Sequence, residues 1–427
     1  MTILIFLIAL ASGMIVGMPI SFALLLAAVA LMFQQDMFDS QIIAQNLING
    51  TTSFTLMAVP FFLLAGEVMN TGGLSKRIVR VALALVGHCK GGLGYVAIVA
   101  SVLLASLSGS AVADAAALAT LLVPMMTAAG HSRGQSCGLV GAGAIIGPII
   151  PPSIPFILFG VCGGVSISKL FLAGIVPGIL MGIGLAFAWW LVSRNDEVKV
   201  FEKQSPADVF ATLREGIWAL FLPVIIIVGL KFGIFTPTEA AVVAAVYSLF
   251  VAIVIYRELK FNQIFEVMVA ATKSTGVVMF LVASALAAAW MITIADLPGQ
   301  MVELLKPLMG NQTVLMLAMI AILFAVSSVM DLSPIILILT PVLLPVARQA
   351  GINEIYFGVI FVVCGSISLI TPPVGTVLNV VAGSTKSNLG LVIKGVLPYI
   401  LSHTIVLLLL ILFPALVMVP LRWFTGG

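Results

Sequence analysis

Two short clusters of serine, glycine and aspartate interrupt long apolar stretches and contain the groups best suited to binding an ion. The first is Ser106-Leu107-Ser108-Gly109-Ser110 with Asp114 nearby, and the second is Ser327-Ser328-Val329-Met330-Asp331. Hydroxyls, backbone carbonyls and few charges suit a hard monovalent cation. A purely structural role for Asp331 stays open, because Ser333-Pro334 could itself begin the next helix.

Each cluster is followed by a proline break. Pro151-Pro152-Ser153 follows the first, and Thr371-Pro372-Pro373-Val374-Gly375-Thr376 follows the second. Adjacent prolines exclude a continuous helix. At membrane depth, unpaired backbone is tolerated only inside protein or along a polar cavity, so the breaks predict a binding site. Helix N-termini at such breaks favour an anionic substrate group.

The pattern predicts two sets of contacts. Candidate sodium-binding residues are Ser106, Ser108, Gly109, Ser110, Asp114, Ser327, Ser328, Asp331, Thr371, Gly375 and Thr376. Candidate substrate-binding residues are Pro151, Pro152, Ser153, Pro372, Pro373, Asn379 and Lys273. Lys273 would oppose the charge of an anion, although its side chain is equally able to extend to the inner membrane face.

Composition defines the class of protein that must position these residues. Of 427 residues, 62% are apolar and 8% charged, against about 25% charged in soluble domains. The chain is therefore a polytopic membrane protein, which excludes a soluble enzyme, a nucleic-acid binder and a disordered scaffold. There is no GxxxxGK[ST] motif for ATP, and the four cysteines lack metal-ligand spacing. We expect no cofactor, with sodium as the coupling ion, because a proton relay would need more intramembrane carboxylates or histidines.

The apolar segments predict an all-α fold. They fall at 3–33, 51–69, 93–130, 135–165, 170–193, 216–232, 240–256, 264–294, 312–347, 355–383 and 395–421. We expect 3–33 to be one span bent at Gly17-Met18-Pro19, 93–130 and 312–347 to be re-entrant hairpins, and 135–165 and 355–383 to be broken helices. Residues 70–92 and 296–311 are expected to lie along the membrane faces.

Basic residues orient these segments. With a cytoplasmic N-terminus and hairpins counted as non-crossing, nine crossings place the C-terminus in the periplasm. Of 19 lysines and arginines, 13 then fall on the cytoplasmic side, 5 on the periplasmic side and Lys273 within a span. This asymmetry agrees with the positive-inside rule.

An internal repeat is visible at a constant offset. Pro124 aligns with Pro345, Gly130 with Gly351, and Gly174 with Gly395; the Pro151-Pro152 and Pro372-Pro373 pairs and Pro177 and Pro398 keep the same spacing. Three crossings in each half, with two more between them, give the halves opposite orientations. Inverted repeats with broken helices at matching positions are typical of secondary transporters.

Several motifs carry a family resemblance. Gly109-Ser110-Ala111-Val112-Ala113-Asp114-Ala115-Ala116, the two proline breaks, and Val59-Pro60-Phe61-Phe62-Leu63-Leu64-Ala65-Gly66-Glu67 followed by Gly72-Gly73-Leu74 resemble the large membrane subunit of tripartite ATP-independent periplasmic (TRAP) transporters. The resemblance covers nearly the whole chain. It implies a sodium-coupled, elevator-type importer of organic anions in the bacterial inner membrane. It also implies two partners, a small four-helix membrane subunit, expected here as a separate chain, and a periplasmic substrate-binding protein.

The resemblance further implies a division of the chain and a substrate. Transport-domain halves are expected at 93–165 and 312–385, and scaffold segments at 1–50, 51–92, 166–263, 264–311 and 386–427, with an arm helix in the second and fourth of these. The sialic-acid branch is the most similar, so sialic acid is the expected substrate, with C4-dicarboxylate as the alternative.

Three other functions compete with a binding-protein-dependent transporter. A self-sufficient anion symporter would have a similar architecture and need no binding protein. An intramembrane enzyme would need Ser110 or Ser132 with His131, but there is no GxSxG elbow, and helical neighbours in sequence do not face each other. A passive channel does not need repeated hairpins and broken helices.

Overall fold

The computed structural model describes residues 2–194, 198 and 203–426, except for the side chains of Leu107 and Ser108. This part of the chain is helical and contains no strand. Eight helical segments are long and apolar enough to cross a membrane. The helices are α1 Thr2–Ile15, α2 Ile20–Gln34, α3 Ser40–Thr51, α4 Ala58–Thr71, α5 Leu74–Val86, α6 Gly92–Ser108, α7 Ala111–Ala128, α8 Arg133–Ala144, α9 Ile154–Gly163, α10 Ile167–Ser193, α11 Pro206–Lys231, α12 Pro237–Phe250, α13 Phe261–Ile294, α14 Leu297–Leu305, α15 Gln312–Ser327, α16 Leu332–Gln349, α17 Glu354–Ser368, α18 Thr376–Thr385, α19 Leu389–Leu412 and α20 Ala415–Thr425.

The N-terminal segment differs from its prediction. The single bent span expected over 3–33 was wrong, because α1 and α2 fold back on each other as a helical hairpin. The amide of Gln34 donates a hydrogen bond to Thr2 Oγ1 at 3.3 Å, which brings the two ends of the pair together. A Cβ on Gly13 would lie 3.0 Å from Ala23 Cβ, so the helices pack too closely for a larger residue there. Gly17, with φ +85°, supplies the left-handed turn that reverses the chain.

The predicted hairpins and broken helices are confirmed. Helices α6 and α7 form the first hairpin (hairpin 1), and α15 and α16 form the second (hairpin 2), with the two helices of each pair in contact. Helices α8 and α9 are separated by the first proline break, and α17 and α18 by the second. Short helices lie where surface segments were expected: α5 and α14 are the two arm helices. The last predicted span, 395–421, is interrupted at Pro414 and forms two helices, α19 and α20.

The two repeats have the same element order. An arm helix, a hairpin, a broken helix and a long helix follow one another in α5–α10 and again in α14–α19. The Pro151–Pro152 and Pro372–Pro373 peptide bonds are both cis. Contacts between repeats are exchanged crosswise, since α7 packs on α18 and α16 packs on α9. The all-α fold with inverted repeats is therefore as predicted, and it places each hairpin beside a half-helix of the other repeat.

Candidate functional site

The first half-site is the tip of hairpin 1 together with the first break, residues 106–114 and 145–153. Gly109 has φ +59°, and a Cβ there would lie 2.5 Å from the Pro152 carbonyl oxygen, so the tip touches the break. Asp114 is 3% exposed, and a Cβ on Gly147 would lie 2.9 Å from its Oδ2 atom. The structure therefore brings together the tip, Asp114 and the proline pair, as the sequence predicted.

Helix starts organise this half-site. Ser110 begins α7, and its hydroxyl accepts a hydrogen bond from Ala113 N at 3.4 Å. Ser153 begins α9, accepts from Phe156 N at 3.2 Å and donates to the Pro148 carbonyl. These are ordinary N-cap contacts. Ser106 is buried, and its hydroxyl donates to Leu103 O at 2.6 Å. The predicted role of Ser108 falls on a side chain outside the described part.

Helix α10 covers the first half-site. A Cβ on Gly174 would lie 2.3 Å from the Ile149 carbonyl oxygen, and one on Gly178 would lie 2.3 Å from Ile150 Cγ1. These two glycines let the helix lie directly on the break. Pro151, Pro152 and Ser153 are all buried. The covering glycines were missing from the predicted site, although Gly174 was visible in the repeat alignment.

The second half-site is the tip of hairpin 2 with the second break, residues 327–331 and 369–379. Thr376 Oγ1 donates to Asp331 Oδ1 at 3.5 Å, which links the tip to the start of α18. Asp331 occupies the N-cap position of α16 without a side-chain capping hydrogen bond, so the predicted cap at Ser333 was wrong and the structural alternative for Asp331, a place at the start of this helix, is kept. Gly375, with φ +46°, occupies the N-cap position of α18.

The remaining polar groups of this half-site face their own backbone. The hydroxyls of Ser327 and Ser328 donate to Phe324 O at 3.1 and 2.9 Å. Thr371 donates to Ile367 O at 2.9 Å, and the Asn379 amide donates to Val374 O at 2.8 Å. A hydroxyl that donates its proton to a carbonyl still presents two lone pairs. Each of these hydroxyl oxygens can therefore still bind a cation through a lone pair, because its proton points away toward a carbonyl.

The second half-site is more open than the first. Pro373, Val374 and Asn379 are exposed, and Thr371, Pro372, Thr376 and Asp331 are half-buried. Helix α19, which corresponds to α10 in the repeat, lies elsewhere: a Cβ on Gly395 would be 1.9 Å from the Gly134 carbonyl of α8. The aligned glycines Gly174 and Gly395 thus both pack against the first broken helix, Gly174 at its break and Gly395 at the start of α8.

The ends of eight half-length helices converge on the two half-sites. Helices α7, α9, α16 and α18 begin there, and α6, α8, α15 and α17 end there. Helix N-termini carry partial positive charge and favour anions, whereas C-terminal carbonyls favour cations. The described residues contain no cluster of three or more metal-ligating side chains. The chemistry available is reversible binding of a hard cation and an anion.

Lys273 is not part of either half-site. It is exposed on α13 and has no hydrogen bond or ion pair with a described residue. Two arginines that were absent from the predicted site connect the repeats instead. Arg133 donates to the Thr385 carbonyl at the end of α18 and to Ser387 Oγ at 2.8 Å, and Arg348 donates to the Gly163 carbonyl at the end of α9 at 2.8 Å. Each satisfies the C-terminal carbonyls of the other repeat's half-helix.

Two inverted repeats, each with a hairpin tip against a broken helix, define a secondary transporter of the membrane-embedded type. The chain belongs to the family of the DctM component of tripartite ATP-independent periplasmic transporters, whose family model matches residues 7–416. It is therefore a TRAP large permease and a transport protein rather than an enzyme. As a general property of the family, such permeases work with a small membrane subunit and a periplasmic binding protein.

Known relatives agree with this assignment. The chain is 53% identical over 423 residues to the 2,3-diketo-L-gulonate TRAP transporter large permease of Escherichia coli, covering 99% of this chain and 100% of the relative. It is 36% identical over 410 residues to the sialic acid TRAP transporter large permease of Vibrio cholerae, covering 96% of each. The crystal structure of the Alcanivorax borkumensis YdaH transporter has a TM-score of 0.64 and 18% identity, covering 89% of this chain and 90% of that one, which establishes similarity of fold.

Proposed function

We propose that this chain imports an organic anion across the bacterial inner membrane, driven by a sodium gradient, as the large subunit of a binding-protein-dependent TRAP transporter. The observation that carries the proposal is the pairing of each hairpin tip with a proline break. This arrangement presents cation-binding carbonyls and anion-binding helix N-termini at the same place. Import driven by an ion needs both kinds of group within one site.

Sodium is favoured by the oxygen atoms of the two half-sites. Asp331 supplies a carboxylate joined to Thr376, and Ser327, Ser328 and Thr371 supply hydroxyl oxygens whose protons are already donated to carbonyls. Such oxygens can bind a hard cation without displacing a proton. Asp114, Ser106, Ser108, Gly109, Ser110, Gly375 and Thr376 complete the candidate set for sodium.

The substrate proposed first is a sugar-derived carboxylate related to 2,3-diketo-L-gulonate. Support comes from the 53% identity with a transporter named for that anion, against 36% for the sialic acid transporter. Sialic acid, the substrate predicted from the motifs, is the second candidate, and a C4-dicarboxylate is the third. Pro372, Pro373 and Asn379, at the accessible break, are the proposed substrate contacts in this conformation. Pro151, Pro152 and Ser153, predicted with them, are fully buried and are proposed to support the site, and the position of Lys273 outside both half-sites supports no substrate role.

We propose an elevator motion with a revised moving unit. The predicted division assigned α10 and α19 to the scaffold. Gly174 and Gly395, however, pack both helices against the backbone of the first broken helix, because a Cβ added to them would lie 2.3 Å from the Ile149 and 1.9 Å from the Gly134 carbonyl oxygen. Surfaces that slide past one another do not interdigitate so closely. We therefore place α10 and α19 with hairpins 1 and 2 and the broken helices, and keep α1–α5 and α11–α14 as the scaffold.

The position in the membrane is also part of the proposal. The excess of basic residues favours a cytoplasmic location for the α4–α5 connection and a periplasmic C-terminus. The cytoplasmic N-terminus was predicted from a single span over 3–33. The α1–α2 hairpin instead places Thr2 on the same side as Gln34, so the fold does not support that part of the predicted orientation. A small membrane subunit encoded as a separate chain is likewise proposed.

Uptake into proteoliposomes tests the function. Vesicles would contain this chain with its small subunit, and a sodium gradient and the cognate binding protein would each be supplied or omitted. We expect uptake of labelled 2,3-diketo-L-gulonate only when both are present. Uptake without the binding protein would instead support a self-sufficient symporter. Uptake of sialic acid with its own binding protein would show that sialic acid is the substrate and would leave the proposed mechanism unchanged. Flux that does not depend on any gradient would favour a channel.

A further inference from the structure

The first arm helix, α5, is fastened to the scaffold by Arg77. Arg77 Nη1 lies 2.6 Å from Glu258 Oε1, and its guanidinium lies 3.7 Å from the centre of the Tyr256 ring. A Cβ on Gly73 would lie 1.8 Å from Glu258 Oε2, so this approach requires glycine. Burial raises the pKa of the Tyr256 phenol, which stays protonated and donates to Glu215 O at 2.8 Å. The charge of Arg77 is therefore neutralised by Glu258 and covered by the Tyr256 ring.

The other two basic residues of α5 have no such partner. Lys76 and Arg80 are exposed and make no hydrogen bond or ion pair with any residue in the described part of the chain. Their spacing of four residues places them on the same face of the helix. Two neighbouring cations that the protein leaves uncompensated attract an anion.

A groove lies beside these two cations. It has a volume of about 450 Å³ and lies between α5 and helix α7 of hairpin 1, beside the contact of α5 with α6. Val79 and Leu83 line the arm side, Leu104 and Leu121 line the hairpin side, and Lys76 and Arg80 belong to the same lining. The site thus combines apolar walls with two positive charges.

We propose that this groove binds an anionic phospholipid, whose phosphate contacts Lys76 and Arg80 and whose acyl chain lies between α5 and α7. Charge complementarity supports a lipid with a net negative headgroup, and the apolar walls suit a chain rather than a small soluble anion. Basic pockets between helices near the cytoplasmic face are suited to such headgroups. Because Arg77 holds α5 on the scaffold while hairpin 1 belongs to the proposed moving unit, the bound lipid contacts both.

Lipid retention in the purified complex tests the proposal. The chain with its small subunit would be purified from membranes, incubated with phosphatidylglycerol or phosphatidylcholine, and examined by native mass spectrometry. We expect preferential retention of phosphatidylglycerol, reduced about 30-fold in the double variant Lys76→Gln, Arg80→Gln. The matched control is Lys203→Gln with Arg214→Gln, which removes two exposed basic residues outside the groove. Equal retention in the two double variants would overturn the proposal.

A second variant distinguishes a lipid whose acyl chain occupies the groove from a lipid held at the surface by charge alone. Ala117 lines the hairpin side of the groove, so Ala117→Trp would fill it while keeping both cations. We expect this variant to lose phosphatidylglycerol with an unchanged melting temperature. Full retention in Ala117→Trp, or displacement of the lipid by soluble glycerol phosphate, would mean that only a headgroup or a free anion binds, and either result would overturn the proposal.

Discussion

Pro151 and Pro152 are buried in a break on which helix α10 packs at Ile149 and Ile150, whereas Pro373 and Val374 at the corresponding break are exposed. Both breaks have cis proline pairs, both meet a hairpin tip, and both begin a half-length helix. The difference comes from the long helix that follows each break. Helix α10 rests on the first break through Gly174, and α19 rests on α8 through Gly395. Equivalent sequence elements therefore form one sealed and one accessible half-site.

This difference suggests that the two half-sites have different roles. The sealed half-site buries Asp114 and backbone groups, which suits a rigid part of the site that does not exchange ligands. The accessible half-site exposes Asn379 and Pro373 beside the Asp331–Thr376 contact, which suits ligands that enter and leave. Substitutions should consequently act mainly on stability in the first half-site and mainly on transport in the second.

The largest expected effect is on the cover of the first half-site. In Gly174→Leu, the new side chain would begin 2.3 Å from the Ile149 carbonyl oxygen and 2.5 Å from the Phe156 ring. Overpacking of this kind costs about 1–3 kcal/mol or more, so we expect a clear fall in melting temperature, measured by scanning fluorimetry in detergent. Gly383→Leu on α18 is the control, because no atom lies within 4 Å of its Cβ position. Similar melting temperatures for the two variants would contradict the idea of a sealed first half-site.

The next largest effect is expected at the aspartates. Asp331→Asn removes the negative charge from the accessible half-site, and a lost charged contact of about 2 kcal/mol corresponds to roughly 30-fold in the sodium concentration that half-saturates uptake. Its melting temperature should stay close to that of the unchanged protein. Asp114→Asn should lower both uptake and melting temperature, because Asp114 is 3% exposed. Unchanged sodium dependence in Asp331→Asn would remove this residue from the ion site.

A smaller effect is expected from the hydroxyl that reaches Asp331. Thr376→Val keeps the shape of the side chain but removes the donor at 3.5 Å, and loss of one such contact is worth about 1 kcal/mol, or roughly 5-fold in sodium affinity. The matched control is Thr404→Val on α19, where the hydroxyl only donates to its own helix at Ile400 O. Uptake as a function of sodium concentration would be compared in proteoliposomes. An equal change in both variants would point to a general helix effect.

The smallest effect is expected on the rate at which a cysteine at each break reacts with a thiol reagent. Val374 is 37% exposed and Ile150 is 6% exposed, so Val374→Cys should react with a water-soluble thiol reagent and Ile150→Cys should not. Cys89 is exposed and would be replaced by serine in both variants. Sodium or substrate should slow the labelling at position 374. No labelling there would mean that the second break faces lipid, and fast labelling at position 150 would remove the contrast between the half-sites.

Much of the fold followed from local sequence. Apolar length predicted the spans, the serine–glycine clusters predicted the hairpin tips, and paired prolines predicted the breaks, because each effect acts within a few residues. Which tip meets which break did not follow from the sequence and is seen only in the contacts of Gly109 with Pro152 and of Thr376 with Asp331. The segment 3–33 was not predictable in this way, since Gly17 and Pro19 are compatible with either a bend or a reversal, and the packing of Gly13 on Ala23 selects the reversal.

The sequence by itself determined that this protein is a helical membrane transporter with two related halves, and which short segments form its hairpin tips and helix breaks. Only the tertiary structure decided that Gly174 seals one break while Gly395 leaves the other accessible, that Arg133 and Arg348 join the repeats, and that Lys273 lies apart from both half-sites. The physical reason is the range of the interactions. Backbone geometry and hydrophobicity act locally, whereas burial depends on which distant helix comes to lie against each break.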